Sequence, residues 1–595
     1  MKRKLCFFLF TAIYAISIFA MPGNGIVYVR PAADGGFDLN SGESWDDAKE
    51  TLAAALEVAK GTVALEYADA KDIYIQGGTY LLSTYVNFSA QNYSGIRIYG
   101  SFSGYDPEET PETRSKLPGS KPWEFENQTI LDGNSCSTDL IRGGGAGKFV
   151  PSIFDGISFE NGGMTNGGAE GKDNFAALYV RDGMNFINCS FKNNKGGNNG
   201  GAVSMYDGLK ADASPVGVLF SHCYFYNNSA AAGKQGGALQ ANMYPGDDLQ
   251  ILDCVFEKNT LNGKGGAVYS LPGNKPKRHV IDRCVFIDNE STSDDGGAVY
   301  WGYGQVMNSA FYGNKVSNGK QGAAIYMGRS NDLVANCIVY NNAAATASVV
   351  AMTGGGNVYN TTIANNLCGN AINCYQAASK VINTVVWNNK QSDGKDAGIF
   401  SNAAITVKNS ACSTALSEEF VLINNVDVAG APLFVAPTDF VGLASGPSQL
   451  NQLTDCDWTP KETSALIGAG NAMAFRMAAL ELYETDDTTP DYLGNARYSN
   501  EGTKINIGAI ENGAKLPTAL IESRVQDITI FVSDKTINVK GIETNALIYI
   551  FDTMGNNIYA ISVHEDDFSL DLQSGIYIVK VVTPQNSQSA KVAIF

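Results

Sequence analysis

Charge is scarce in this chain. Only 17% of its 595 residues are Asp, Glu, Lys or Arg, against about 25% in an ordinary globular protein. The charges are also unbalanced: 42 Lys and Arg against 60 Asp and Glu leave a net −18. Such a field repels phosphate polymers and excludes DNA or RNA as the partner. Histidine occurs three times, as His222, His279 and His564. No Cys-x-x-Cys or Cys/His cluster accompanies them, which excludes a zinc site of the usual spacing, and no Ser/His/Asp order or nucleophile elbow is present. After residue 20 no apolar run approaches the ~20 residues that cross a bilayer as a helix, so no transmembrane span is expected. Glycine, in contrast, is abundant, with 64 residues, and a hydrophobic share of 44% is enough to build a core rather than a disordered chain.

The first residues, MKRKLCFFLFTAIYAISIFA, set Lys2, Arg3 and Lys4 before an apolar run from Leu5 to Ala20. That pattern predicts an export signal over residues 1–20 and a place at the cell surface, in the outer membrane or outside the cell. Exported chains with an even cysteine count usually carry disulfides. The spacing here argues for something else, because five cysteines recur inside one phrase: FINCSFKNN (Cys189), FSHCYFYNN (Cys223), ILDCVFEKN (Cys254), IDRCVFIDN (Cys284) and VANCIVYNN (Cys337).

The phrase continues with Gly156, Ser309, Thr361 and Thr384 in the cysteine slot, at intervals of 23 to 34 residues. Five positions after each slot stands an asparagine: Asn161, Asn194, Asn228, Asn259, Asn289, Asn314, Asn342, Asn366 and Asn389. Two positions after the slot stands a large apolar residue such as Phe191, Phe225, Phe256, Phe286 or Phe311, so slot and aromatic share one face of a strand. A second phrase, GGA, falls between slots, as at Gly236–Ala238 and Gly296–Ala298. Each repeat therefore holds two or three short strands with Gly and Asn corners and no room for an amphipathic helix. Such a unit buries its apolar face only by stacking, which predicts a parallel β-helix with ladders of Cys/Ser/Thr, Phe and Asn. Asn suits an inward corner through its tolerance of left-handed backbone and its stackable amide. Stacked cysteines lie about one strand spacing apart, ~4.8 Å, too far for a disulfide. The five are expected to be buried thiols, and only Cys368 with Cys374 suggests a pair to test.

Candidate functional residues are fewer. Tyr206, Tyr244, Tyr269, Tyr300, Trp301, Tyr303 and Tyr326 follow the GGA phrase or its relative in consecutive coils. Exposed, the last five form a stacking platform for sugar rings; packed on one another, they only cover the sheet. The segment NKPKRH places Lys275, Lys277, Arg278 and His279 in an insertion between strands, a cationic loop for acidic sugars or a solvated turn. Asp247, Asp248, Asp294 and Asp295 read as turn residues, with calcium binding as the other reading and no other cofactor expected. Asp253 and Asp282 sit near their slot cysteines, where Asn188, His222, Asn308 and Asn336 stand in other coils, which reads as a polar ladder.

The ends are distinct. Trp45, Leu52, Ala55, Leu56 and Ala59 predict one helix capping the first coil. The words YVRP, GESWDDA, LAAAL, IYIQGGTY and YGSFSGYDPEE, with the repeated C-x-F-x-x-N and GGA phrases, resemble bacterial secreted right-handed β-helix proteins, including those with polymorphic-outer-membrane-protein repeats. APLFVAP, SALIGAGN and DYLGNAR…INIGAIE resemble their closing coils, so the resemblance covers Ile26 to Glu511. After NGAKLP, seven short alternating segments predict a β-sandwich. ALIYIFDTMGNNIYAI, LDLQSGIYIVKV and KVAIF within it are similar to the sorting domain of the type IX secretion pathway of Bacteroidetes, without the proline-asparagine-proline phrase that often opens such domains.

The expected organisation is a signal at 1–20, a right-handed parallel β-helix with an N-terminal cap at 21–512, a linker at 513–525 and a β-sandwich at 526–595, all-β throughout. The resemblance is specific for fold and open on activity, since this architecture carries lyases, hydrolases, adhesins and passive stalks. The expected role is non-catalytic adhesion or contact with glycans or with a host or neighbouring cell surface, with the secretion machinery engaging the C-terminal domain. The alternative is a polysaccharide lyase or glycoside hydrolase built on the same coils.

Overall fold

Short strands punctuated every few residues by Asn and Gly cannot run long, and in the computed structural model each coil turns three times instead. The structure describes residues 25–59, 72–88, 95–133, 139–143, 152–163, 176–180, 183–206, 217–242, 249–272, 279–472 apart from 318 and 331, then 491–495, 497, 504–511 and the strands between 529 and 594. The export signal and the linker lie outside them.

Fourteen strands, from Ile26–Val29 to Val421–Ile423, make the first parallel sheet. Thirteen, from Gly78–Leu81 to Val426–Asp427, make the second, and eleven, from Val86–Phe88 to Ile399–Ser401, the third. One coil runs Val218–Ser221, Tyr224–Tyr226, then Leu239–Asn242, and each strand pairs in register with its counterpart in the next coil. Inside, Phe159, Phe191, Phe225, Phe256, Phe286 and Phe311 stack face to face, with centroids 4.4 to 5.2 Å apart. In-register pairing forces this ladder, and offset or parallel stacking of rings adds to the area each one buries.

The slot residues do more than fill space. Cys223 N–H donates to Cys254 Sγ at 3.3 Å, Cys254 N–H to Cys284 Sγ at 3.4 Å, and Cys284 N–H to Ser309 Oγ at 3.0 Å. Each slot group in turn donates to the carbonyl two residues earlier, as Cys254 Sγ to Leu252 O at 3.1 Å and Thr361 Oγ1 to Tyr359 O at 2.8 Å. A small side chain that both donates and accepts is what the position requires, which is why Cys, Ser and Thr interchange there. Cys189, Cys223, Cys254, Cys284 and Cys337 are free, and so are Cys368 and Cys374.

The asparagine ladder runs from Asn194 through Asn228, Asn259, Asn289, Asn314, Asn342 and Asn366 to Asn389, with Nδ2 to Oδ1 distances of 2.8 to 3.0 Å. Two expectations change here. The left-handed residue is the one before each ladder position, such as Asn193, Asn227 or Lys258, not the ladder Asn itself. The first coil is also shifted by one: Phe159 pairs with Phe191, so Ile157 fills the slot rather than Gly156, and Asn161 matches Asn193. Gly162 N–H takes the place of a rung by donating to Asn194 Oδ1 at 2.9 Å. The GGA corner divides its labour similarly. Gly236 adopts φ +71°, while a Cβ on Gly237 would lie 1.9 Å from Gly266 O in the next coil.

The cap is shorter than expected. The helix spans Leu52–Ala59, with Thr51 Oγ1 accepting from Ala54 N–H at 3.1 Å, and buries Leu52, Ala55, Leu56, Val58 and Ala59. Trp45 belongs instead to a separate 3-10 turn and packs outside the first sheet on Tyr28, Tyr74, Tyr99 and Phe102.

The closing coils are also corrected. A fourth parallel sheet of five two-residue strands runs from Lys195–Gly196 to Lys315–Val316, and after Val426–Asp427 no described strand joins any of these sheets. Residues 428–472 and the described residues between 491 and 511 fold back over the outer face of the second sheet, burying Leu433, Phe434, Trp458, Leu466 and Ile507 against Ile338, Tyr340 and Val385. The left-handed Asn residues anchor this cover: Asn341 Nδ2 donates to Phe440 O and Gly442 O, and Asn365 Nδ2 to Thr438 O. Words that look like further coils are thus a flank. Beyond it, seven strands form antiparallel sheets of three (Thr529–Ser533, Thr536–Lys540, Asp567–Asp571) and four (Ala546–Phe551, Asn557–Val563, Gly575–Val582, Ser587–Ile594) around Ile537, Ile548, Ile550 and Val579.

Candidate functional site

Alternation along a strand sends adjacent side chains to opposite faces, and this separates the aromatic candidates. In the third sheet Tyr269, Tyr300 and Tyr326 share one register position, and Ser270, Trp301 and Met327 the next. The tyrosines lie on the outer face, with ring centroids 5.0 and 4.3 Å apart, and the Lys264 ammonium sits 5.1 Å from the Tyr300 ring. They stack on one another and are largely covered: Tyr269 is 9% and Tyr300 5% exposed. Tyr303 turns away in a left-handed residue beneath the Arg329 guanidinium. Trp301 is a correction, because it points into the core at 0% exposure and offers no ring to a ligand.

His279 is a second correction. It opens a strand of the first sheet rather than a solvated loop, and its ring stacks on Trp301 at 3.7 Å. Its Nδ1–H donates to Gly302 O at 2.9 Å, which leaves Nε2 to accept from the Ser270 hydroxyl at 2.8 Å. Burial pushes its pKa down to about 3, so the ring is neutral and structural. Lys275, Lys277 and Arg278 lie outside the described residues, as do Asp247, Asp248 and Tyr244.

Asp294 pairs with Lys320 at 3.6 Å, and Asp295 Oδ1 accepts from Gln321 N–H at 2.8 Å, so both fasten the corner to the next coil. Among the described residues no group of three or more His, Cys, Asp or Glu converges as a metal site would.

Between the first and second sheets the left-handed corner carries Asn188, His222, Asp253, Arg283 and Asn308 in successive coils. Register makes Arg283, not Asp282, the counterpart of Asp253. Arg283 grips Asp253 through Nε at 2.8 Å and Nη2 at 2.9 Å, and also contacts Asp282, whose other oxygen accepts from Asn308 Nδ2 at 2.8 Å. Burial raises the Asp282 pKa. One guanidinium binds both carboxylates and balances one of their two charges, which makes this a clamp across coils.

A concave site lies elsewhere, where the last coils meet the cover. A cleft of about 410 Å3 is lined by Trp387, Asn388, Lys390, Asp396 and Ser413 from the coils and by Ala429–Phe434, Pro437 and Lys461 from the cover. Trp387 ends a strand of the second sheet at an outward position; its Nε1 donates to Ala431 O at 3.2 Å and its ring makes a T-shaped contact with Phe434, centroids 5.6 Å apart. The indole is thus a fixed wall. Lys390 pairs with Asp396 at 2.5 Å, both side chains remaining partly exposed. None of these residues stood out in the sequence. The available signal was register: slot and slot-plus-two face inward, so slot-plus-three, which is Trp387, faces out.

Residues 241–412 match the family described as right handed beta helix region. The array is a right-handed parallel β-helix. A similar solved structure is the GH136 lacto-N-biosidase from Eubacterium ramulus, studied as its selenomethionine derivative, at 9% identity and a TM-score of 0.30, covering 63% of this chain and 67% of that one. Comparison with curated proteins returned no match. No helix among the described residues of this β-helix protein is long and apolar enough to cross a membrane.

Proposed function

We propose that this is an exported β-helix protein, displayed at the cell surface or released, that contacts glycans without cleaving them and is sorted through its C-terminal sandwich in a type IX manner. The cleft carries the reading: it has an aromatic wall, polar groups around it and one carboxylate, Asp396, which is held by Lys390. Glycosidases need two carboxylates about 5 to 10 Å apart, and the cleft lining has one. The sequence supports export through its basic and apolar leader, and sorting through the GIYIVKV words of the sandwich.

The test is a glycan panel read for binding and, in parallel, for release of reducing or unsaturated ends. Binding that Trp387→Ala abolishes, with no release, is expected; release from any glycan overturns the non-catalytic reading.

A further inference from the structure

The charge of the cleft runs against the charge of the chain. The protein carries a net −18, yet the cleft lining holds two lysines and one aspartate. Lys390 is already engaged with Asp396. Lys461 sits at the start of the turn after Asp457–Pro460, held by its own backbone N–H on Leu433 O at 2.9 Å, and its ammonium forms no ion pair with a described residue. A lysine left unpaired beside a neutralised pair gives the cleft one surplus positive charge.

The rest of the lining suits a ring with an apolar face and a polar rim. Trp387 cannot rotate away, because its N–H is bonded to Ala431 O and its ring packs on Phe434 in a T-shaped contact. A fixed indole offers a π face to axial C–H groups. Opposite the coils, Gly430 adopts φ +69° with nothing within 4 Å of a would-be Cβ, so the rim is open there. A volume of about 410 Å3 is at the lower end for small-molecule sites, which span roughly 300 to 1,000 Å3, a size for one or two sugar units and not for a long chain.

We propose that this cleft binds a carboxylated sugar, its carboxylate on Lys461 and its ring against Trp387. This rests on the glycan-contact reading and narrows it to acidic units. The carboxylate can come from a hexuronic acid or from a sialic-type acid; both present a single negative charge on a pyranose ring. The overall negative field opposes long polyanions, so the fit is to an acidic unit at a chain end or between neutral sugars.

The full-length protein is titrated at low salt with glucuronate, N-acetylneuraminate and glucose, with binding followed by ligand-observed NMR. Tighter binding of at least one acid than of glucose, by ten-fold or more, is expected, and which acid binds identifies the source of the carboxylate. Lys461→Gln is expected to weaken acid binding at least five-fold, and by a larger factor than any glucose binding, with thermal unfolding showing that the variant is folded. Trp387→Ala weakens both. Equal affinity for acid and neutral sugars, or no effect of Lys461→Gln, overturns the acidic specificity while Trp387-dependent sugar binding keeps the broader reading. No binding of these sugars overturns the acidic specificity, and no Trp387-dependent binding across the wider glycan panel overturns both.

Discussion

At its N-terminal end the β-helix lays the helix Leu52–Ala59 over the strands Ile26–Val29, Asp72–Gln76 and Val86–Phe88, with Leu56 only 2% exposed. At the other end the first sheet stops at Val421–Ile423, whose three residues are 51%, 44% and 37% exposed. Phe420 and Leu416 fold under the last core residues, but among the described strands the final one pairs on one side only. A parallel stack needs a stop at each end against further strand addition. This chain places a helix at one end, and at the other diverts the polypeptide sideways to cover the second sheet. The diverted segment creates the cleft, so the flank has acquired a concavity that the end has forgone.

Four measurements sharpen or break that contrast. The interior is expected to be costliest to disturb. Asn259 donates to Phe225 O and Asn289 Oδ1 and accepts from Asn228 N–H and Nδ2. Asn259→Ala strands those partners in a dry core, and a loss of about 3–5 kcal/mol is expected in denaturant unfolding. At the closed end Leu56→Ala is expected to cost about 2–4 kcal/mol by the same measurement. Acid acts on the interior through His279. Its folded pKa of about 3 lies below its ordinary 6.5, so the neutral ring's contribution is intact above pH 6.5 and is lost as pH falls from there toward 3. The slope is at most about 1.4 kcal/mol per pH unit, and His279→Gln is expected to flatten it in thermal melts across that window. At the open end Leu422→Ala is expected to change stability by less than about 0.5 kcal/mol. A cost there equal to that of Leu56→Ala would show the C-terminal end to be covered, and the contrast would collapse.

The repeat made the architecture legible because stacking is a one-dimensional rule: recurrence of C-x-F-x-x-N implies ladders of each letter. What single residues do within a coil was less visible. The slot reads as small and apolar until the coil below supplies an N–H, as Cys223 does for Cys254 Sγ. The first coil reads one residue out of step because Gly156 resembles a slot, while pairing puts Ile157 there. Trp301 and Tyr300 look equivalent as consecutive aromatics, yet only one of two neighbours on a strand can face out. The cleft was least legible of all: its two walls are about 40 residues apart in sequence at Trp387 and Ala431, and meet because residues 428–472 fold back rather than forward.

Every amide of the asparagine ladder points the same way, from Asn194 toward Asn389, and each touches only the coil on either side. Removal of one whole turn, from just after one ladder Asn to the next, restores the same asparagine-ladder hydrogen bonds across the cut. The length of this rod is therefore free to change by whole turns while the helix cap and the sugar-sized cleft stay as they are, and the distance between them becomes a heritable quantity set by counting.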